Sequence, residues 1–194
     1  VAALVTELSA APAAKDVDIA GLGLGAAGVI DAGTARVLSA TDTILHWAGT
    51  DLAAELLART GLRVRAVNDV HAHGLGEAWR GAAAGSSNAL LLAVGTGIGG
   101  SHLLAGIPQT GAHHVGGHMG HFASPLASGV RCSCGRSGHL EAIAAGPAIH
   151  RNYLRLGGDP AVADTRELTA RAHAGDQLAR QALQHQLEDC GLEV

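Results

Sequence analysis

Residues 111–141 constrain this chain more than any other stretch. Gly111-Ala-His-His-Val-Gly-Gly-His118-Met-Gly-His121 leads into Arg131-Cys132-Ser-Cys134-Gly-Arg-Ser-Gly-His139-Leu-Glu141. Two cysteines one residue apart are flanked by histidines, with ten residues between His121 and Cys132 and four between Cys134 and His139. Two thiolates and two imidazoles suit tetrahedral zinc. Four protein ligands leave no coordination position open, so the zinc expected here is structural. The other reading is a glycine-rich surface loop that contains cysteines.

Hydrophobic residues are 47% of the 194 but aromatic residues only 2%, so a core must come from Ala, Leu, Val and Ile. The formal net charge is −4 and no long basic run occurs, which argues against nucleic acid as the main partner. The longest apolar run, Ala89 to Val94, is too short to span a bilayer. The first residues have no signal-peptide layout. Three cysteines, two of them assigned to a metal, make no disulfide framework. The expected location is a reducing cytoplasm, and the low charge content (15%) argues against disorder.

Strands and helices alternate along the chain. Val1 to Leu8 has the apolar spacing of an amphipathic helix, and starting inside a helix suggests a chain cut at this end. Asp18 to Gly25 reads as a buried strand running into the turn Ala26-Ala27-Gly28-Val-Ile-Asp31. Thr34 to Ala40 reads as a short strand. A helix is expected over Asp51 to Thr60, ended by Gly61, then a strand over Leu62 to Val67 and a helix over His71 to Ala84. Ser87 to Val94 reads as another buried strand, with Ser101 to Leu104 as the return arm of a hairpin. Helices follow over Leu140–Ala145, Pro147–Leu156, Thr165–Ala174 and Asp176–Asp189. The third of these has a capping site at Asp164-Thr165, with Glu167 in its first turn. The last helix is expected to run on to Val194 without a stop signal. The pattern predicts an α/β protein with an α-rich C-terminal part.

Three groups of residues carry chemistry. Gly95-Thr96-Gly97-Ile98-Gly99-Gly100 follows a strand, and such a turn can offer backbone N–H groups and a hydroxyl to phosphate oxygens. It is neither a Walker A loop nor a Rossmann fingerprint, and a tight hairpin turn without a ligand is the alternative. Asn68-Asp69 closes a strand, where α/β proteins place working side chains. Asp69 can take a proton from a hydroxyl and Asn68 can both donate and accept, or Asp69 simply caps the next helix. His118 and Glu141 converge on one pocket if a metal folds residues 121–139 back on themselves. His113 and His114 read as polar loop residues.

In order, these pieces resemble the ROK family of repressors, open reading frames and sugar kinases. The matching motifs are Gly28-Val-Ile-Asp31, Asn68-Asp69, Gly95 to Gly100, Gly117-His-Met-Gly-His121 and Cys132 to Glu141, spread over about residues 1–185. The resemblance implies an actin-like, hexokinase-like (ribonuclease H-like) ATPase fold of two α/β lobes. On that basis residues 1–70 are the remainder of the N-terminal lobe, and 71–194 are part of the C-terminal lobe, with the zinc motif at 121–139. The family opens with Asp-x-Gly-Gly-Thr and closes with adenosine-binding glycines. Neither occurs here, so the expectation is an incomplete fold and little or no activity from the chain alone.

The resemblance also implies roles. Asp69 matches the general base acting on a sugar 6-hydroxyl, with Asn68, Ala27 and Gly28 beside the sugar. Gly95, Thr96, Gly97, Gly99 and Gly100 match a phosphate turn for ATP, used with Mg2+. His121 matches a histidine that both ligates zinc and faces the sugar, and Glu141 matches a sugar-binding carboxylate. His139 stands where the family has a third cysteine, leaving a Cys132, Cys134, His121 and His139 site for zinc.

His118 stands where glucose kinases have a glutamate, as in the bacterial N-acetylmannosamine kinases of sialic-acid catabolism. An imidazole can donate to an acetamido oxygen. The expected reaction is therefore ATP-dependent phosphorylation of N-acetylmannosamine. Glucokinase, N-acetylglucosamine kinase or a sugar-responsive repressor with an upstream DNA-binding domain are the alternatives. Expected partners are a hexose or hexosamine and ATP, with no membrane, no nucleic acid unless that domain exists, and a homodimer for the complete protein.

Overall fold

The computed structural model describes residues 1–14, 17–41 and 44–189. They group into two compact units. One comprises 1–89 with 101–116, the other 90–100 with 117–194. This differs from the expected boundary at residue 70, because the helix after Asn68 packs within the first unit.

The first unit begins with helix α1 (Ala2–Ser9), then strands β1 (Leu22–Ala26), β2 (Val29–Asp31) and β3 (Arg36–Ser39). Helix α2 (Leu52–Thr60), strand β4 (Val64–Asn68) and helix α3 (Asp69–Arg80) follow. β1 and β4 are parallel, in register from Leu22 opposite Val64 to Ala26 opposite Asn68. β2 and β3 form an antiparallel hairpin. Ile30, Ala35, Val37, Leu52 and Ala66 make the core of this unit. The Asp51 side chain accepts from Ala54 N–H to start α2, and Gly61, at φ +72°, ends it. α1 forms as its spacing predicts, but none of its residues is buried, and Leu4 and Leu8 stay exposed. The strand expected from Asp18 begins only at Leu22, where pairing with β4 starts.

α3 lies close on its neighbours because small residues let it. A Cβ on Gly25 would meet Ala72 at 3.0 Å, and one on Gly74 would collide with Ser101 at 2.4 Å. The buried His71 places Nε2 at 2.9 Å from Gly116 O. These contacts tie residues 101–116 to the first unit.

Strands β5 (Asn88–Val94), β6 (Ile98–Leu104) and β7 (Ile107–Pro108) form a sheet in that order. β6 is longer than expected and mostly buried, and β7 was not anticipated. The expectation of a buried β5 is corrected. Its residues alternate, and Leu90, Leu92 and Val94 lie on an exposed face.

The second unit is helical beyond residue 140: α4 (Glu141–Ala144), α5 (Gly146–Arg155), α6 (Thr165–His173) and α7 (Gln177–Asp189). The expected run to Val194 lies, past Asp189, outside the described residues. Ile149, Tyr153, Val162, Leu168, Ala172, Ala179 and Ala182 form the core of α5–α7. The chain's single tyrosine is spent here. Tyr153 Oη accepts from Asp159 N–H and donates to Asp176 Oδ2, both at 3.1 Å. Asp164 caps α6 through Glu167 N–H, and the Glu167 carboxylate returns to Ala163 N–H. No helix among the described residues is long and apolar enough to cross a membrane.

Candidate active site and metal centre

In the first unit, Asn68 and Asp69 sit where β4 becomes α3. The capping role falls to Asn68, not Asp69. Asn68 Oδ1 accepts from Val70 N–H at 2.9 Å and His71 N–H at 3.3 Å. Asn68 Nδ2 donates to Gly28 O at 3.0 Å. The Asn68 amide is thus a clamp between the β1–β2 turn and α3. Asp69 is exposed at the first position of a twelve-residue helix, and its Oδ1 accepts from Val70 N–H at 3.0 Å. The aligned N–H groups at that helix end favour a carboxylate. Ala27 and Gly28 form the adjoining turn. Gly28 has φ +99°, and a Cβ there would lie 2.6 Å from Ser39 O. Trp47 Nε1 donates to Ala27 O at 2.8 Å, a support with no signal in the local sequence.

Asp31 ends β2. The Thr34 hydroxyl, then Gly33 N–H, hold its carboxyl below the ordinary range. His114 Nε2 stands 4.0 Å from it. His114 is half-buried at φ +59°, so it is more than a loose loop residue.

In the second unit, Gly95–Gly97 turns β5 into β6. The expectation that the whole glycine run presents N–H groups needs correcting. Gly95 N–H bonds Gly97 O, Gly100 N–H bonds Gly117 O at 2.6 Å, and Ile98 N–H bonds Glu141 Oε2 at 3.0 Å. Gly100 serves packing instead, because a Cβ there would lie 2.4 Å from Met119 Sδ. Gly99 lies inside β6. The exposed Thr96, with Gly97, is left at the tip. Beside the tip a cavity of about 670 Å3 opens between Val94–Thr96, the start of α5, and Asp164–Arg166.

Glu141 begins α4 and joins two features. Its Oε1 accepts from Ser133 Oγ at 2.6 Å and lies 3.8 Å from Cys132 Sγ. Its Oε2 holds Ile98 N–H. Ser133, the residue between the cysteines, was not singled out by sequence, since no spacing rule marks it.

His121, Cys132, Cys134 and His139 come together, with one donor atom from each within 4.8 Å of the others. Cys132 Sγ is 3.7 Å from His121 Nδ1, and Cys134 Sγ is 3.2 Å from His139 Nδ1. Metal–ligand distances of about 2.1–2.3 Å imply tetrahedron edges of roughly 3.4–3.8 Å. The donor set suits a tetrahedral metal ion, and the Cys132–His121 pair has the separation of such an edge. Burial lowers the pKa of His121, favouring the neutral ring that ligates, and burial pushes the Cys132 thiol up. A bound cation reverses the second effect. The His118 ring stacks near His121, centroids 6.4 Å apart, and its buried Nδ1 has no hydrogen-bond partner among the described residues.

The ROK family model matches residues 1–192. Glucokinase from Thermotoga maritima is 35% identical over 171 residues, 81% of this chain and 53% of that protein. N-acetylmannosamine kinase from Citrobacter koseri is 37% identical over 127 residues, 65% of this chain and 42% of that protein. A Streptomyces griseus ROK glucokinase solved with glucose and AMPPNP gives a TM-score of 0.78 at 27% identity, covering 97% of this chain and 65% of that one. The chain spans about half the length of the curated relatives it matches. With its α/β elements, its glycine turn and its Asn-Asp strand end all in family order, the chain belongs to the ROK family.

Proposed function

We propose that the protein is an ATP-dependent sugar kinase that phosphorylates the 6-hydroxyl of N-acetylmannosamine. The observation that carries the kinase reading is Asp69. Asn68 does the capping, which leaves an exposed carboxylate at the end of a strand available to take a proton. In this reading Asp69 accepts the proton of the sugar hydroxyl as the hydroxyl oxygen attacks the γ-phosphorus of Mg-ATP, the bond from that phosphorus to the bridging oxygen breaks and ADP leaves. Thr96 and Gly97 face the phosphates, and the adjacent cavity takes the rest of the nucleotide. The sugar-contacting roles that the family resemblance implies fall on Ala27, Gly28 and Asn68 in the first unit and on His118, His121 and Glu141 in the second.

His121, Cys132, Cys134 and His139 hold zinc, which when bound supplies structural cross-linking of residues 121–139 and no open coordination position. The preference for an acetamido sugar rests on His118. Its unpartnered Nδ1 can donate to or accept from a ligand, where a glutamate could only accept.

The test is ADP release by the complete gene product with N-acetylmannosamine, N-acetylglucosamine, glucose and mannose. N-acetylmannosamine is expected to give the highest kcat/KM. A preference for glucose would overturn the substrate assignment, and sugar binding without ADP release would favour the repressor alternative. Asp69→Asn is expected to lower kcat by about 10²–10⁴-fold with sugar binding kept. Near-normal turnover in that variant would remove Asp69 as the base.

A further inference from the structure

We propose that Ser133 is a positioning residue which, through Glu141, makes the shape of the nucleotide turn depend on closure of the cysteine–histidine loop. The contacts form one continuous path. Ser133 lies between Cys132 and Cys134 in a tight turn, with Cys132 N–H bonded to Arg136 O at 2.7 Å and Gly135 N–H to Cys132 O at 3.0 Å. When the flanking cysteines are held, the hydroxyl between them has little freedom. It donates to Glu141 Oε1 at 2.6 Å, a short bond to a charged acceptor. The opposite oxygen accepts Ile98 N–H at 3.0 Å, at the end of the glycine turn.

Glycine backbone lies close to this carboxylate on its Oε2 side. A Cβ on Gly97 would stand 2.6 Å from Glu141 Oε2, and one on Gly120 would stand 3.1 Å from it. The last torsion of a glutamate is otherwise a broad, soft rotor. Ser133 is the strong partner on the Oε1 side, since the Cys132 contact at 3.8 Å is long. With the hydroxyl removed, Glu141 turns and Ile98 N–H loses its acceptor. The Thr96–Gly97 tip is then no longer fixed for phosphate. A carboxylate accepts about four hydrogen bonds. With Oε1 and Oε2 each holding one donor, Glu141 keeps capacity for a sugar hydroxyl, so the same serine also orients a sugar ligand.

The inference rests on the kinase reading and is tested on the complete gene product. Three quantities are measured for wild type, Ser133→Ala and Ser133→Thr. They are bound metal per chain, AMPPNP affinity by calorimetry, and KM and kcat with the preferred sugar. Ser133→Ala is expected to weaken AMPPNP and raise the KM for ATP by about tenfold, the size of one hydrogen bond to a charged group. Metal content is expected to stay within about twofold, and Ser133→Thr, which keeps the hydroxyl, to restore affinity. Unchanged nucleotide affinity in Ser133→Ala overturns the inference while leaving the kinase reading intact. Loss of metal in Ser133→Ala, or failure of Ser133→Thr to restore affinity, also overturns it, because the serine would then be supporting the loop alone. A wild-type protein that binds no AMPPNP removes both.

Discussion

The two ends of the second unit hold themselves together by different means. Helices α5–α7 enclose a core in which Leu168 and Ala179 are fully buried, and even the polar Tyr153 hydroxyl has two partners. The loop from Gly117 to His139 has little of this. Ala127 and Cys132 are its buried apolar side chains, while Phe122, Leu126 and Val130 are exposed. Apolar burial at about 25 cal/mol per Å2 can hold the helices, but there is too little of it to hold the loop. The loop relies instead on turns, on close glycine approaches and on its four converging donor side chains. One region resembles an ordinary small core, and the other resembles the metal-stapled segments that small domains need.

The comparison breaks most visibly if metal removal affects both regions equally. Cys132→Ser, or chelation of the wild type, is expected to cost the protein its metal and open residues 117–139 to protease. The α5–α7 core keeps its helical circular dichroism. Helices that melt together with the loop would show that the two are one cooperative unit. Next in size is Leu168→Ala, expected to lower stability in urea by about 2–5 kcal/mol with metal content unchanged. Tyr153→Phe should cost about 0.5–1.5 kcal/mol, since the hydroxyl's bonds to Asp159 N–H and Asp176 are lost.

The smallest effect is electrostatic. Asp159, Asp164 and Asp176 all have pKa values below the ordinary 3.8, first because backbone N–H groups of Ala161, Glu167 and Ala179 donate to them. A depressed folded pKa gives stability that is complete above the unfolded value and is lost as pH falls through the folded one. Thermal melts should therefore weaken below about pH 3.8, and Asp164→Ala should flatten that dependence slightly. A melt independent of pH between 5 and 2 would deny these caps any role.

Local signals made parts of this molecule readable in advance. Asp51 and Gly61 bracket α2, Asp164 opens α6, and the cysteine and histidine spacing picks out the four residues that converge. What could not be read depends on residues far apart in sequence. The clamp made by Asn68 had no local signal, because nothing beside it shows that Gly28 O takes its amide. The glycine turn looked like an open nest because Glu141 and Gly117, which occupy two of its N–H groups, lie well downstream. β5 looked buried because an apolar run does not reveal which of its faces is covered.

The Asn68 clamp has a consequence for how the protein folds. It joins residues forty positions apart, at the end of a parallel strand pair whose connection holds the β2–β3 hairpin and α2. Such long-range closure is slow compared with assembly of the contiguous helices α5–α7, so the helical end is expected to form before Asp69 is placed. A partly folded molecule then holds its compact helices before the end of β4, where Asp69 stands, is fixed.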